Sequence, residues 1–124
     1  LKKTFFTYWL NRIRNYIGIM LIDFKDENWE DKIKNEDTCV IQFSATWCGP
    51  CQTLKPVMST LSDQYKDKAN FYYADIEDGA LNLGSSMGVR GVPSTIIFKK
   101  GAEVDRLVGN PGEAKVKEFL DKSI

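Results

Sequence analysis

The sequence predicts an α/β fold, a central mixed β-sheet flanked by helices on both faces. Three observations predict it. Short apolar runs of strand character alternate with segments of helical periodicity, the run Thr38 to Ala45 is almost continuously apolar as a strand buried on both faces must be, and the chain closes with a hairpin and a helix. At 124 residues and 43% hydrophobic content, the chain has the size of one ordinary domain and can bury a core without disulfide stapling.

Taken in order, Phe5, Phe6, Trp9, Ile13, Tyr16, Ile17 and Met20 recur at helical spacing, with Thr4, Thr7, Asn11, Arg14, Asn15 and Gly18 on the opposite face. This reads as an extra N-terminal amphipathic helix over residues 1–18, which Gly18 can end, followed by a domain over residues 19–124. Ile19 to Phe24 reads as a first strand. A short helix fits Asn28 to Asn35, where Trp29 and Ile33 share a face. After the strand Thr38 to Ala45, residues Leu54, Val57, Met58, Leu61 and Tyr65 mark a long helix from Gly49 onward. Pro56 inside it withholds one backbone donor and predicts a kink.

Phe71 to Ile76 is the next strand and Ala80 to Met87 a weakly patterned helix. Val92 to Phe98 and Glu103 to Val108 flank Lys99-Lys100-Gly101-Ala102 as a β-hairpin. Asn110-Pro111-Gly112-Glu113 then reads as a helix start, with Asn110 as cap, Pro111 in the first turn and Glu113 completing a capping box. Val116, Phe119 and Leu120 form the apolar stripe of that helix.

Charge is segregated along the chain. Residues 1–22 hold Lys2, Lys3, Arg12 and Arg14 with no acid, so the remaining 13 basic residues face all 17 acidic ones. That balance argues against a nucleic-acid binder. The absence of histidine removes Ser-His-Asp and Cys-His nucleophile pairs and every histidine-ligated metal site. No segment reaches the roughly 18 uninterrupted apolar residues of a spanning helix, so a soluble protein is expected. Leu1 in place of Met leads to the expectation of a mature or a trimmed form whose leader has been removed.

Cysteine must therefore carry any special chemistry. Disulfide exchange needs a thiolate to attack a target sulfur and a second thiol near enough to resolve the mixed disulfide. Cys48 and Cys51 in Trp47-Cys48-Gly49-Pro50-Cys51 supply both. If Gly49 begins the helix, Cys48 sits where free N–H groups and the positive dipole end favour a negative sulfur, and Cys51 lies one turn further in as the resolving thiol. The competing reading of C-x-x-C is a metal half-site, but Cys39 is the one other soft ligand, so a single chain cannot assemble four. No metal and no separate cofactor are expected. Cys39, inside an apolar run, reads as a small core residue.

The motif Trp47-Cys48-Gly49-Pro50-Cys51, Pro56, Gly91-Val92-Pro93-Ser94 before a strand, Phe98-Lys99-Lys100-Gly101 and Gly109 after the last strand together resemble the thioredoxin family, over about residues 19 to 124. The resemblance implies the thioredoxin fold, a cis Val92–Pro93 bond, and Pro93 facing the sulfurs. It further implies that Val92 pairs with a substrate strand and that Trp47, Gly91 and Gly109 border an apolar docking surface. Gly49 and Pro50 belong to the same surface. It also implies disulfide-containing protein substrates, a thioredoxin reductase or another thiol donor as partner, and a reducing role. Family reference values are a motif thiol pKa of about 7, against about 8.5 for free cysteine, and a potential of about −270 mV.

Three positions depart from the family pattern. Its buried Asp, six residues before the first cysteine, is Gln42; a Lys on the next strand is replaced by Tyr73; and its usual Trp is Ser44. Gln42 cannot act as a base, so activation of Cys51 must rely on water or on Cys48 itself, and slower turnover than with an aspartate is expected.

Residues 1–18 fall outside that resemblance. They read as structure packed on the domain, as a surface for a protein partner or a second copy through Phe5, Trp9, Ile13 and Tyr16, or as a basic membrane-contacting face. An appended helix in a Lys- and Asn-rich chain loosely resembles the secreted second thioredoxin of apicomplexan parasites, a type associated with protein export. That implies a secreted or organellar location, with a cytoplasmic one as alternative. The leading functional reading is a protein-disulfide reductase; the alternative is an assembly subunit whose domain serves mainly as a docking module.

Overall fold

The computed structural model describes residues 21–124, so the helix expected at the N-terminus and the boundary after residue 18 lie outside the described residues. The strand β2 (Thr38–Ser44) organises the rest. Alternation along it sends Val40, Gln42 and Ser44 to one face of the sheet and Cys39, Ile41 and Phe43 to the other, and all six are buried. The continuous apolar run is thus a strand covered on both sides.

Around β2 the sheet has the order β1-β3-β2-β4-β5, with β1 (Ile22–Asp23), β3 (Asn70–Asp75), β4 (Ser94–Lys99) and β5 (Ala102–Val108). β3 runs parallel to β2 and to β1, whereas β4 is antiparallel to both of its neighbours. The result is the mixed sheet expected. Of the expected first strand Ile19 to Phe24, residues 19 and 20 lie outside the described residues; β1 spans Ile22–Asp23, and the Phe24 N–H bonds the Tyr73 carbonyl at 2.7 Å.

Two helices cover each face. On one, α2 (Gly49–Gln64) and α4 (Glu113–Ser123) bury Leu54, Met58, Leu61, Val116 and Leu120 against Val40, Phe71 and Ile97. On the other, α1 (Trp29–Lys34) and α3 (Leu81–Ser86) bury Ile33 and Leu83 against Ile41, Phe43, Ile96 and Phe98. The weak pattern of α3 has a packing reason. Gly84 lies so close to the sheet that a Cβ there would stand 2.9 Å from Ile76 Cγ2, so contact comes from backbone proximity and not from an apolar stripe.

Boundaries differ where a donor is missing or a side chain finds another partner. β4 begins at Ser94 and not Val92, since Pro93 has no N–H to give a ladder. The hairpin turns on Lys100 and Gly101, both at positive φ, which extends the strands through Lys99 and Ala102. The helix start proposed at Asn110 is corrected: α4 begins at Glu113 behind Gly112, and no side chain caps it. Asn110 Oδ1 instead accepts the Gly112 N–H at 3.2 Å, closing a local turn two residues on, which competes with capping.

Phe43→Ala should lower unfolding stability by about 3–5 kcal/mol in a urea titration, because a fully buried ring between β2 and its covering helices leaves a cavity. Val104→Ala on the exposed part of β5 should stay within about 0.5 kcal/mol. Equal effects would contradict the assignment of Phe43 to the core.

Candidate active site

The chain leaves β2 at Ser44 and turns through Ala45, Thr46 and Trp47, with the Cys48 N–H bonded to the Ala45 carbonyl at 3.1 Å. Cys48 has extended backbone angles and is the N-cap residue of α2. Its Sγ accepts the Cys51 N–H at 3.3 Å, so one of the donors left unpaired at a helix start is directed onto sulfur. Cys48 and Cys51 are joined as a disulfide, with their Cα atoms 5.3 Å apart. Cys48 retains 5% exposure and Cys51 none, as expected if the first thiol meets solvent and the second is screened. Gly49 and Pro50, the next two residues, are both exposed and open α2. A Cβ on Gly49 would meet nothing within 4 Å, so the approach over the motif is open.

Across from the sulfurs lies the loop before β4. The Val92–Pro93 peptide is cis, and the Val92 carbonyl oxygen is 3.7 Å from Cys48 Sγ. Pro93 is buried and its carbonyl accepts the N–H of Gly109, which sits at φ +93 just past β5. Gly91 is exposed, and its carbonyl accepts the Ser94 hydroxyl at 2.6 Å. These bonds tie Gly91, Val92, Pro93 and Gly109 into one wall beside Cys48.

Trp47 is 68% exposed, and its indole N–H donates to Glu77 Oε1 at 2.8 Å. Glu77 is a neighbour that the sequence did not single out. It comes from the turn after β3, where Asp75 Oδ1 accepts the Glu77 and Asp78 N–H groups, and no sequence spacing links it to the motif. Val108, 64% exposed, adds a second apolar surface residue near Gly91, with its Cγ1 3.7 Å from a Cβ built there.

Beneath the disulfide the layer is polar. Gln42, fully buried, donates through Nε2 to the Cys51 carbonyl at 3.1 Å and to Ser44 Oγ at 2.8 Å. Tyr73, its neighbour on β3, is buried under the ammonium of Lys55, 4.0 Å from the ring centre, and its hydroxyl receives Gln52 Nε2 at 3.4 Å. Cys39 is buried on the opposite face of β2, where desolvation and then the Glu36 carboxylate push its thiol from 9.0 up to about 12. It is a protonated core residue at neutral pH. Among the described residues, no group of three or more Cys, Asp or Glu side chains could hold a metal ion.

This arrangement can exchange disulfides: a sulfur held at a helix start, a second thiol within bonding reach, and an open rim. Comparison with known proteins agrees. The thioredoxin family model matches residues 20–122. A chloroplastic M-type thioredoxin of Brassica napus is 32% identical over 106 residues, covering 85% of this chain and 58% of that protein, so the chain spans little more than half of that relative. A thioredoxin of Staphylococcus saprophyticus is 31% identical over 104 residues, covering 84% of this chain and 98% of its own. The structure of a mutant thioredoxin from Halobacterium salinarum superposes with a TM-score of 0.72 at 32% identity, over 86% of this chain and 91% of that one. On the fold, the paired cysteines and these likenesses, the chain belongs to the thioredoxin family.

Proposed function

We propose that this thiol–disulfide oxidoreductase reduces protein disulfides, with Cys48 as nucleophile and Cys51 as resolving thiol. The observation that carries the assignment is the Cys51 N–H directed onto Cys48 Sγ at the start of α2, which stabilises a thiolate on the first sulfur and not on the second. In the reduced protein the Cys48 thiolate attacks one sulfur of a substrate disulfide, a mixed disulfide forms, and one substrate thiolate departs. Cys51 then loses its proton and attacks Cys48 Sγ. The Cys48–substrate bond breaks, the second substrate thiolate leaves and takes up a proton, and the pair reaches the disulfide state described above. Two electrons have passed to the substrate.

Substrate binding falls to the rim: Trp47, Gly49 and Pro50 on one side, Gly91, Val92, Pro93 and Gly109 on the other. Its support is their shared position around Cys48, with the Val92 carbonyl oxygen 3.7 Å from Cys48 Sγ. Gly-Pro between the cysteines places no cation beside the thiolate, which supports a low potential and hence electron donation. The family implies a thioredoxin reductase or another thiol donor to restore the dithiol, with no further cofactor. With insulin and dithiothreitol, the parent should accelerate precipitation of the insulin B chain. Cys48→Ser should fall to the dithiothreitol-only rate, and Cys51→Ser should accumulate a mixed disulfide with insulin. A Cys48→Ser protein as active as the parent would overturn the assignment.

The N-terminal segment supports a narrower reading, in which Phe5, Trp9, Ile13 and Tyr16 hold a protein partner or a second copy in a secreted, export-linked setting. Its support is the aromatic residues of that segment, its charged residues, all of them basic, and the resemblance it carries. If a second copy is the partner, size-exclusion chromatography should show an oligomer that Trp9→Ala converts to monomer; a monomeric parent would remove the homodimer from the account.

A further inference from the structure

The polar layer under the disulfide is costly to bury, and its bonding is asymmetric. Gln42, Ser44 and Thr95 are all essentially fully buried on the α2 side of the sheet, Gln42 and Thr95 being register partners across β2 and β4. A main-chain carbonyl accepts only, so the group of Gln42 that meets the Cys51 oxygen is its NH2 end, and the carboxamide oxygen points elsewhere. That oxygen and the Thr95 hydroxyl have no hydrogen-bond partner among the described residues. Opening the disulfide creates one new buried donor, the Cys51 thiol.

We propose that Gln42 is a positioning residue for Cys51: anchored on Ser44, its carboxamide ties the first turn of α2 to the sheet through the Cys51 carbonyl and so fixes where the Cys51 thiol stands against Cys48 once the disulfide opens. An ionised aspartate at the same place could not make the bond to the Cys51 carbonyl, having no donor. The tie also acts where α2 is weakest, since Pro56 has no N–H for the Gln52 carbonyl next along. Resolution is then governed by the aim of the Cys51 thiol and not by a buried titrating acid. The groups facing Gln42 fit that description: Ser44 and Thr95 carry no charge, and Tyr73 and Lys55 are engaged with each other. Leu107, the β5 partner of Thr95, is apolar. This inference rests on the reductase reading above.

A chromogenic aromatic disulfide separates the two steps, because Cys48 attack releases one coloured thiolate and Cys51 resolution releases a second. Gln42→Leu, of similar size and without hydrogen bonds, should keep the first release within twofold of the parent and slow the second about tenfold, the equivalent of one hydrogen bond. Gln42→Glu keeps the shape and adds a carboxyl that burial pushes up, so its second release should gain a pH break absent from the parent. Resolution in Gln42→Leu within twofold of the parent, or equal slowing of both steps, would overturn the proposal. Should Gln42→Leu not fold, a Gln42→Glu protein whose second release has the parent's pH profile would overturn it instead. A parent lacking the first release would remove the reductase reading and this inference together.

Discussion

The contact on which the rest depends is that between the first backbone donors of α2 and the sulfur of Cys48. A helix start leaves N–H groups without internal partners, and in most proteins a hydroxyl or carboxylate side chain satisfies one of them. Here a thiol does. The Cys51 N–H bonds Cys48 Sγ, so the group that completes the helix is also the group whose ionisation the helix favours. Capping and activation are one interaction, and α2 presents the second cysteine within bonding distance by its own geometry.

The sheet supplies what the helix cannot. β2 delivers the chain to the helix start, and its burial on both faces makes that point of delivery rigid. Its antiparallel neighbour β4 places the Val92–Pro93 bond opposite the sulfurs, and the Gly109 N–H closes the wall from β5. Cys48 is therefore set between three adjacent strand ends, while the open rim beside it is built from the loops beyond them. Within the core, Gln42 reaches from the sheet to the first turn of α2.

Much of this was legible in the residues. The apolar run through Val40, Ile41 and Phe43 announces a two-sided strand, the spacing of Leu54, Met58 and Leu61 announces α2, and the Cys48-Gly49-Pro50-Cys51 segment announces the chemistry. What escaped depends on geometry that spacing does not encode. The partnership of Trp47 with Glu77 joins residues thirty apart through a turn whose path only the folded chain defines. The start of α4 moved because Asn110 prefers its own nearby N–H, a local competition that a capping pattern does not resolve. Gln42 was visible as a departure from a family pattern, but its bonds to Ser44 and the Cys51 carbonyl follow from the register of β2 against α2.

The donors at the start of α2 should make Cys48 the most acidic thiol among Cys39, Cys48 and Cys51. Alkylation of the reduced protein by iodoacetamide, followed cysteine by cysteine across pH with mass spectrometry, measures this directly. Cys48 should react first, with a midpoint below that of an ordinary free thiol, Cys51 should follow more slowly, and Cys39, held protonated to about 12, should stay unlabelled in the folded state. A Cys48 midpoint at or above the ordinary value of about 8.5 would contradict the effect of those donors.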